Sequence, residues 1–496
     1  MSKRKIPSPS RRQVVNGILA ATAFGATAKL LPGCTTLSEK PQTNNPSPRP
    51  NVLLISADDL RPQLGCYGYE GILSPNINTL ASQGIVFQNT YCQVPICGPS
   101  RISVFTGIRP GWFETHNGIR KDKEFAHVPS LPGLFKDNGY HTLSIGKTYH
   151  LPDDDQGSWS ETPWFGDYNR YFSPRSKQFM VENLGSEPPF EAADVPDNAY
   201  SDGEATDGAI AALNRLKNSD QPFFLSLGFF RPHLAMAAPQ KYWDLYQRQD
   251  MKLPANQFLP ENAPQVAFFN SGGLRAYGGV PKTGAIPDDL GITLLHAYHA
   301  CVSYIDAQIG RVMAELERLG LRENTIVILW GDHGYQLGEH GIWGKHTLYE
   351  TALHSPLIVS VPGIPGGKTT GALTELVDIY QSLGELCHIP IPNHVEGTSF
   401  VPLLENPDLS WKKAVFSRFQ EGKSVRTQRY RYTEWNKLKW PKRLKIEGSP
   451  YARMLYDHSV DPMETNNIAE LPENQVVIAE LQEILDKGWR EFQPEK

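Results

Sequence analysis

The chain has 496 residues, 40% hydrophobic and 20% charged, ordinary proportions for a globular protein that can bury a sizeable core. Its formal net charge is −5, and residues 1–33 hold six basic side chains (Lys3, Arg4, Lys5, Arg11, Arg12, Lys29) and no acidic one, so the rest is more acidic still. That balance excludes general nucleic-acid binding, and an anionic substrate would need a local cluster of positive charge.

At the amino terminus, Ser10-Arg11-Arg12-Gln13-Val14 resembles a twin-arginine export signal. The apolar stretch that follows, Val14–Ala28, is too short to span a membrane comfortably. Leu31-Pro32-Gly33-Cys34 resembles a lipobox, in which the cysteine is lipidated and becomes the new amino terminus, although its proline departs from the usual pattern. Residues 1–33 therefore read as an export signal. Residues 34–50, polar and proline-rich, read as a flexible tether between a lipid anchor at Cys34 and the fold. The expectation is an exported lipoprotein, periplasmic or on the cell surface, held at a bacterial membrane.

Five apolar runs have the length and composition of buried parallel strands: Asn51–Ser56, Thr142–Ile145, Phe223–Leu227, Thr325–Leu329 and Leu357–Val361. Helical patterns lie between them, the clearest over Leu294–Leu319 with Gly320 placed as a C-terminal stop. Alternating strands and helices predict an α/β fold, a large mostly parallel sheet sandwiched by helices, over residues 51–410. From residue 411 the texture changes. Ala414–Phe419, Ser424–Arg429 and Arg431–Trp435 read as hairpin strands and Glu473–Phe492 as a final helix, a smaller antiparallel subdomain over 411–496. Its basic residues (Arg426, Arg429, Arg431, Lys437, Lys439, Lys442, Arg443) read as a solvated face or a binding patch for acidic groups. Cys66, Cys92, Cys301 and Cys387 are free to pair in an oxidising compartment or to serve as buried small hydrophobes.

In open α/β sheets ligands bind beyond the carboxyl ends of the strands. Asp58-Asp59 follows the first run, Lys147 and His150 the second, His233 the third, and Asp332-His333 the fourth. Adjacent aspartates repel unless a cation lies between them, and a second acidic end makes a shared divalent cation the better account than helix capping. Carboxylates favour a hard ion such as calcium or magnesium, while His333 leaves manganese or zinc open. Taken alone, Lys147 reads as a surface lysine and His150 and His233 as loop histidines. Glu339, His340 and His346 are open between substrate contact and structure.

The segment Cys97-Gly98-Pro99-Ser100-Arg101, continued by Thr106-Gly107 and Arg109, resembles the signature of the type I sulfatases of the alkaline phosphatase superfamily. Asp58-Asp59-Leu60-Arg61-Pro62, Gly146-Lys147 with His150, Arg231-Pro232-His233, the block 331–345, Arg429–Thr433 and Asp461-Pro462 occur in family order, so the resemblance spans nearly the whole chain after the tether. It runs closest to the iduronate-2-sulfatase branch. The resemblance implies a sulfuric ester hydrolase acting on a sulfated oligo- or polysaccharide of the heparan, dermatan or ulvan kind. It implies that a sulfatase-maturing enzyme oxidises Cys97 to formylglycine. It implies one divalent metal, calcium first, on Asp58, Asp59, Asp332, His333 and an oxygen of modified Cys97. Arg101 and Lys147 would hold the hydrated aldehyde and His150 would assist collapse of the sulfated hemiacetal. Lys345 would bind sulfate, and His233 would protonate the leaving sugar oxygen. The residues after Pro232-His233, Leu234-Ala235-Met236, depart from the branch, where an aromatic is common, and that puts the sugar in doubt. Two other readings compete: a phosphatase or phosphonate hydrolase of the same superfamily, and a non-catalytic glycan-binding lipoprotein.

Overall fold

β-branched and aromatic runs bounded by polar turns build the centre of the molecule. The computed structural model describes residues 49–111, 116–167, 170–439, 444–445 and 450–494. The export signal, the lipobox with Cys34 and nearly all of the tether lie outside them. Seven strands form the main sheet: β1 (Asn51–Ala57), β2 (Ile85–Tyr91), β3 (His141–Gly146), β4 (Phe223–Phe229), β5 (Thr325–Gly331), β6 (His354–Ser360) and β7 (Lys368–Glu375). Their order is β7-β2-β6-β5-β1-β4-β3. All neighbours pair in parallel except around β6, which runs antiparallel to both β2 and β5. The expectation of a fifth parallel strand over Leu357–Val361 is therefore corrected in direction, and β2 and β7 are additional.

Along β1 the side chains alternate between two cores. Leu53 and Ile55 join the cluster under helices α2 (Ser201–Leu216) and α3 (Asp288–Arg318). Val52 and Leu54 join the opposite cluster, which includes Ile102 and Phe105 of helix α1 (Cys97–Thr106). A strand buried on both faces has to be apolar throughout, and each such Leu or Ile contributes roughly 1.5–3 kcal/mol. Helix α3 starts six residues before the predicted Leu294, after Pro287, and Gly320 follows it at φ 70°.

The carboxy-terminal region forms a four-stranded antiparallel sheet, β8 (Val415–Phe419), β9 (Gly422–Arg426), β10 (Tyr430–Trp435) and β11 (Ala452–Asp457), in that order. Helix α4 (Gln475–Lys487) covers it with Ile478, Leu481 and Leu485. Arg426 and Arg431 are not a solvated face: both are buried and pair with Glu350 of the main unit. Arg429 pairs with Asp457 at 2.6 Å, Lys437 is exposed, and the side chains of Lys439, Lys442 and Arg443 lie outside the described residues. The four cysteines are free thiols, and Cys92, Cys301 and Cys387 are buried. No helix among the described residues is long and apolar enough to cross a membrane.

Lys412, next to the predicted boundary at 410, is itself buried and donates to Glu375 at 2.9 Å and to Asp378 at 2.7 Å. Removing one partner of a buried charge cluster leaves the others uncompensated. Lys412→Met is therefore expected to lower unfolding stability by about 3–5 kcal/mol. Urea denaturation checks this, and an unchanged midpoint would show the cluster to be energetically neutral.

Candidate active site

Four parallel strand ends deliver ionisable groups to one crevice. Asp58 and Asp59 follow β1, Asp332 and His333 follow β5, Lys147 follows β3, and His233 lies beyond β4. Glycines let these ends crowd together. A Cβ on Gly146, which has φ 75°, would collide with the carbonyl of Gly228, and one on Gly228 would collide with that of Lys147. Asp59 itself adopts φ 63°, a region that non-glycine residues rarely occupy, and strain of this kind gathers at functional sites.

Asp58, Asp59, Cys97 and His333 each place one ligand-type atom within 4.8 Å of the others, and all four are buried. Asp58 Oδ1 and Asp59 Oδ2 are buried without any hydrogen-bond partner among the described residues, which is costly for a carboxylate unless a cation serves it. His333 Nδ1 donates to the Gly334 carbonyl at 2.9 Å, which turns Nε2 toward Cys97 Sγ at 3.4 Å. Two hard carboxylates and an imidazole fit a divalent cation. Asp332 stands beside these four, with Oδ1 3.5 Å from His333 Nε2. Its Oδ1 accepts from the Asp59 N–H at 3.1 Å and its Oδ2 from Arg101 Nε at 2.9 Å.

Cys97 is the first residue of α1, so its side chain sits where free N–H groups and the helix dipole favour negative charge. Lys345 Nζ lies 3.1 Å from its Sγ and 2.6 Å from Asp59 Oδ1, and Lys147 forms an ion pair with Asp58. Burial pushes the Cys97 thiol up, but Lys345, Lys147, His333 and a bond from His150 outweigh it and hold the thiol far below its usual range. Burial and Cys97 likewise raise Asp58, and Lys147, His233 and Lys345 more than reverse this. The pocket thus concentrates positive potential on whatever atom residue 97 carries. Arg101, which the family resemblance sets beside that atom, makes no hydrogen bond to it among the described residues and keeps Nη2 without a partner. Fully buried, its guanidinium serves Asp332 and the carbonyls of Lys147 and Thr148. His233 Nε2 stands 4.0 Å from Asp59 Oδ2 at the crevice mouth, with its side chain 26% exposed.

A family model described as Sulfatase matches residues 50–389. The chain belongs to the sulfatase family. It is a sulfuric ester hydrolase. A second model, for the carboxy-terminal part of N-sulphoglucosamine sulphohydrolase, matches 338–491. Iduronate 2-sulfatase of Mus musculus is 30% identical over 88% of this chain and 93% of its own length. Two solved structures share the fold. One, in complex with its substrate D-glucosamine-2-N,6-O-disulfate, has a TM-score of 0.68 at 23% identity, covering 88% of this chain and 97% of that one. The other, a phosphonate monoester hydrolase of Agrobacterium radiobacter, has a TM-score of 0.71 at 22% identity, covering 88% and 95%.

Above Cys97 the sulfatase holds a cavity of about 420 Å³, large enough for a sugar unit, whose floor includes Asp59, His233 and Lys345. Its walls include residues with no motif to announce them: Asn117, Glu187, Phe269 and Tyr277 come from irregular loops. Asn117 also accepts from the Gly98 N–H at 3.0 Å, steadying the start of α1. His346 lines the cavity and packs against Phe269 at 4.7 Å and Phe419 of β8 at 5.9 Å. Burial and Lys345 push its pKa down to about 3, so the ring is neutral. Glu339 pairs with Arg61 at 2.9 Å, and His340 meets Gln336 at 3.0 Å and the Met463 carbonyl at 3.0 Å, which makes both structural.

Proposed function

We propose that the chain removes sulfate from a sulfated glycan through a formylglycine made from Cys97 and one divalent cation, calcium first among candidates. The observation that carries this reading is the convergence on Cys97 of two carboxylates with orphaned oxygens, an imidazole and two ammonium groups. The named activity of the mouse relative and the sugar disulfate bound by the solved neighbour support a saccharide sulfate. Uronic-acid-containing polysaccharides of the heparan, dermatan or ulvan kind are the class proposed.

Asp58, Asp59 and His333 would hold the cation, and Asp332 would join through Oδ1, which keeps a free lone pair. When bound, the cation lowers the pKa of an attached hydroxyl and neutralises charge on the sulfate. The hydrated aldehyde of residue 97 supplies one hydroxyl as nucleophile and a second through which it can return to aldehyde. The chain's own residues do the rest. Lys147 and Lys345 hold anionic oxygens as point charges. Arg101 fixes Asp332 and the Lys147 backbone. His150 takes a proton beside residue 97, and His233 gives one to the leaving oxygen. We also propose export and a lipid anchor at Cys34; incorporation of a labelled fatty acid, lost in Cys34→Ala, tests it.

The test of the reaction is sulfate release from defined sulfated oligosaccharides by protein whose formylglycine has been verified. Turnover of phosphonate or phosphate esters alone would favour the related hydrolase reading, and binding without turnover a glycan-binding lipoprotein. For the cation, chelation followed by dialysis is expected to abolish activity and lower the melting temperature, and calcium at about a hundred times its dissociation constant to restore about 2.7 kcal/mol. Full activity after chelation, with no thermal shift on adding calcium, would remove the metal from the mechanism.

A further inference from the structure

The cavity above Cys97 has an uneven distribution of charge. Its basic side chains next to the reacting end are Lys345 and His233, 2.6 Å and 4.0 Å from Asp59 respectively. The other walls are largely apolar or aromatic, with Phe269, Tyr277 and Trp343, and besides Asp59 they contain one carboxylate, Glu187. Glu187 is half-buried, and among the described residues no lysine, arginine or histidine lies within ion-pair distance of its side chain. The nearby basic residues are committed elsewhere. Arg275 donates to the carbonyls of Asn270 at 2.8 Å and Gly284 at 2.6 Å, and Lys282 donates to the carbonyls of Arg275 and Tyr277.

A sulfated uronate brings two anions into one ring. Its sulfate would be met by the cations on the floor, but its carboxylate would find no second cation among the described walls and would face Glu187. Like charges brought together in a partly enclosed site are strongly disfavoured. A ring carrying only hydroxyl or ammonium groups reverses this, because each can donate to Glu187 while its apolar face packs on the aromatic wall. Leu234, directly after His233, adds apolar surface beside the leaving group.

We infer that the sugar unit whose sulfate is removed carries no carboxylate: the cavity takes a neutral or amino sugar sulfate, with Glu187 accepting from its hydroxyl or ammonium group. This rests on the sulfatase reading of the site and narrows it. A uronic-acid-containing polysaccharide remains the polymer, and its alternate unit becomes the substrate.

The experiment compares kcat/KM of the full-length, formylglycine-containing protein on four compounds. They are a 6-sulfated glucosamine, a 2-sulfated uronate, the methyl ester of that uronate, and 4-nitrophenyl sulfate. Wild type is expected to favour the glucosamine sulfate over the free uronate, and the neutral ester over the free uronate, each by roughly tenfold or more. Glu187→Gln is expected to narrow the gap between ester and free acid. The wild-type pair needs no variant, so a folding defect in Glu187→Gln does not rescue the idea. Equal or faster turnover of the free uronate than of its ester and of the glucosamine sulfate overturns it. Absence of turnover on all four compounds, nitrophenyl sulfate included, would overturn the sulfatase reading of the site and this inference with it.

Discussion

Cys97→Ala is expected to reduce turnover by on the order of 10⁶-fold, the scale seen when a catalytic nucleophile is removed. The reason lies in how the site is built. Lys345, Lys147, His333 and His150 direct their positive charge or hydrogen bonds at the side chain of residue 97. Alanine leaves those groups with nothing to stabilise and gives the sulfate no atom to transfer to. Protein made without a maturation enzyme should behave similarly. A thiol can attack, but it lacks the second hydroxyl through which sulfate is released. Peptide mass spectrometry of the 97–101 region, paired with single-turnover kinetics, checks both statements. Sustained turnover by a preparation whose Cys97 is wholly thiol would refute the formylglycine mechanism. A thermal melt of Cys97→Ala separates this loss from unfolding.

His233→Ala is expected to cost about 10²–10⁴-fold in kcat/KM on a sugar sulfate and far less on nitrophenyl sulfate. A sugar alkoxide is a poor leaving group and needs a proton as the bond to sulfur breaks, whereas nitrophenolate leaves unaided. His233 stands at the mouth of the crevice, partly exposed, with Nε2 4.0 Å from Asp59. From there it can exchange protons with solvent between turnovers, unlike the buried Lys345. If His233 only positioned substrate, both rates would fall together; if it only packed the loop, stability would fall. Equal losses on the two substrates would move the acid role to Lys345.

The convergence of Asp58, Asp59, Lys147, His233 and Asp332 was legible because parallel strands align their carboxyl ends along one edge. Apolar runs marked those strands; Asp58, Lys147 and Asp332 came within three residues of their runs and His233 six residues after Leu227. The direction of β6 was not legible. A short apolar run is symmetric with respect to direction, and here β5 leads into the irregular loops of the site instead of a crossover helix. Edge strand β7 was missed because three of its eight positions are exposed and only two, Ala372 and Leu373, are apolar, so Lys368–Glu375 carries no continuous apolar signal. The role of Arg101 rested on the family resemblance alone; its complete burial demands a carboxylate, and Asp332 supplies one. Glu187 and Tyr277 belong to loops whose placement is decided by tertiary contacts alone.

The ring of His346 is held between Phe269 of the main unit and Phe419 of the small sheet, while Lys412 ties the intervening chain to Glu375 and Asp378. The tail therefore backs the cavity wall through its contact with His346. Relatives cannot acquire a new substrate by exchanging this segment as a cassette, because a foreign tail would strand the buried lysine's partners and reshape the ring's packing at once. Recombination across residue 410 should yield insoluble or inactive hybrids unless positions 269, 346 and 419 are inherited together. Across diverging lineages those three positions should change in concert.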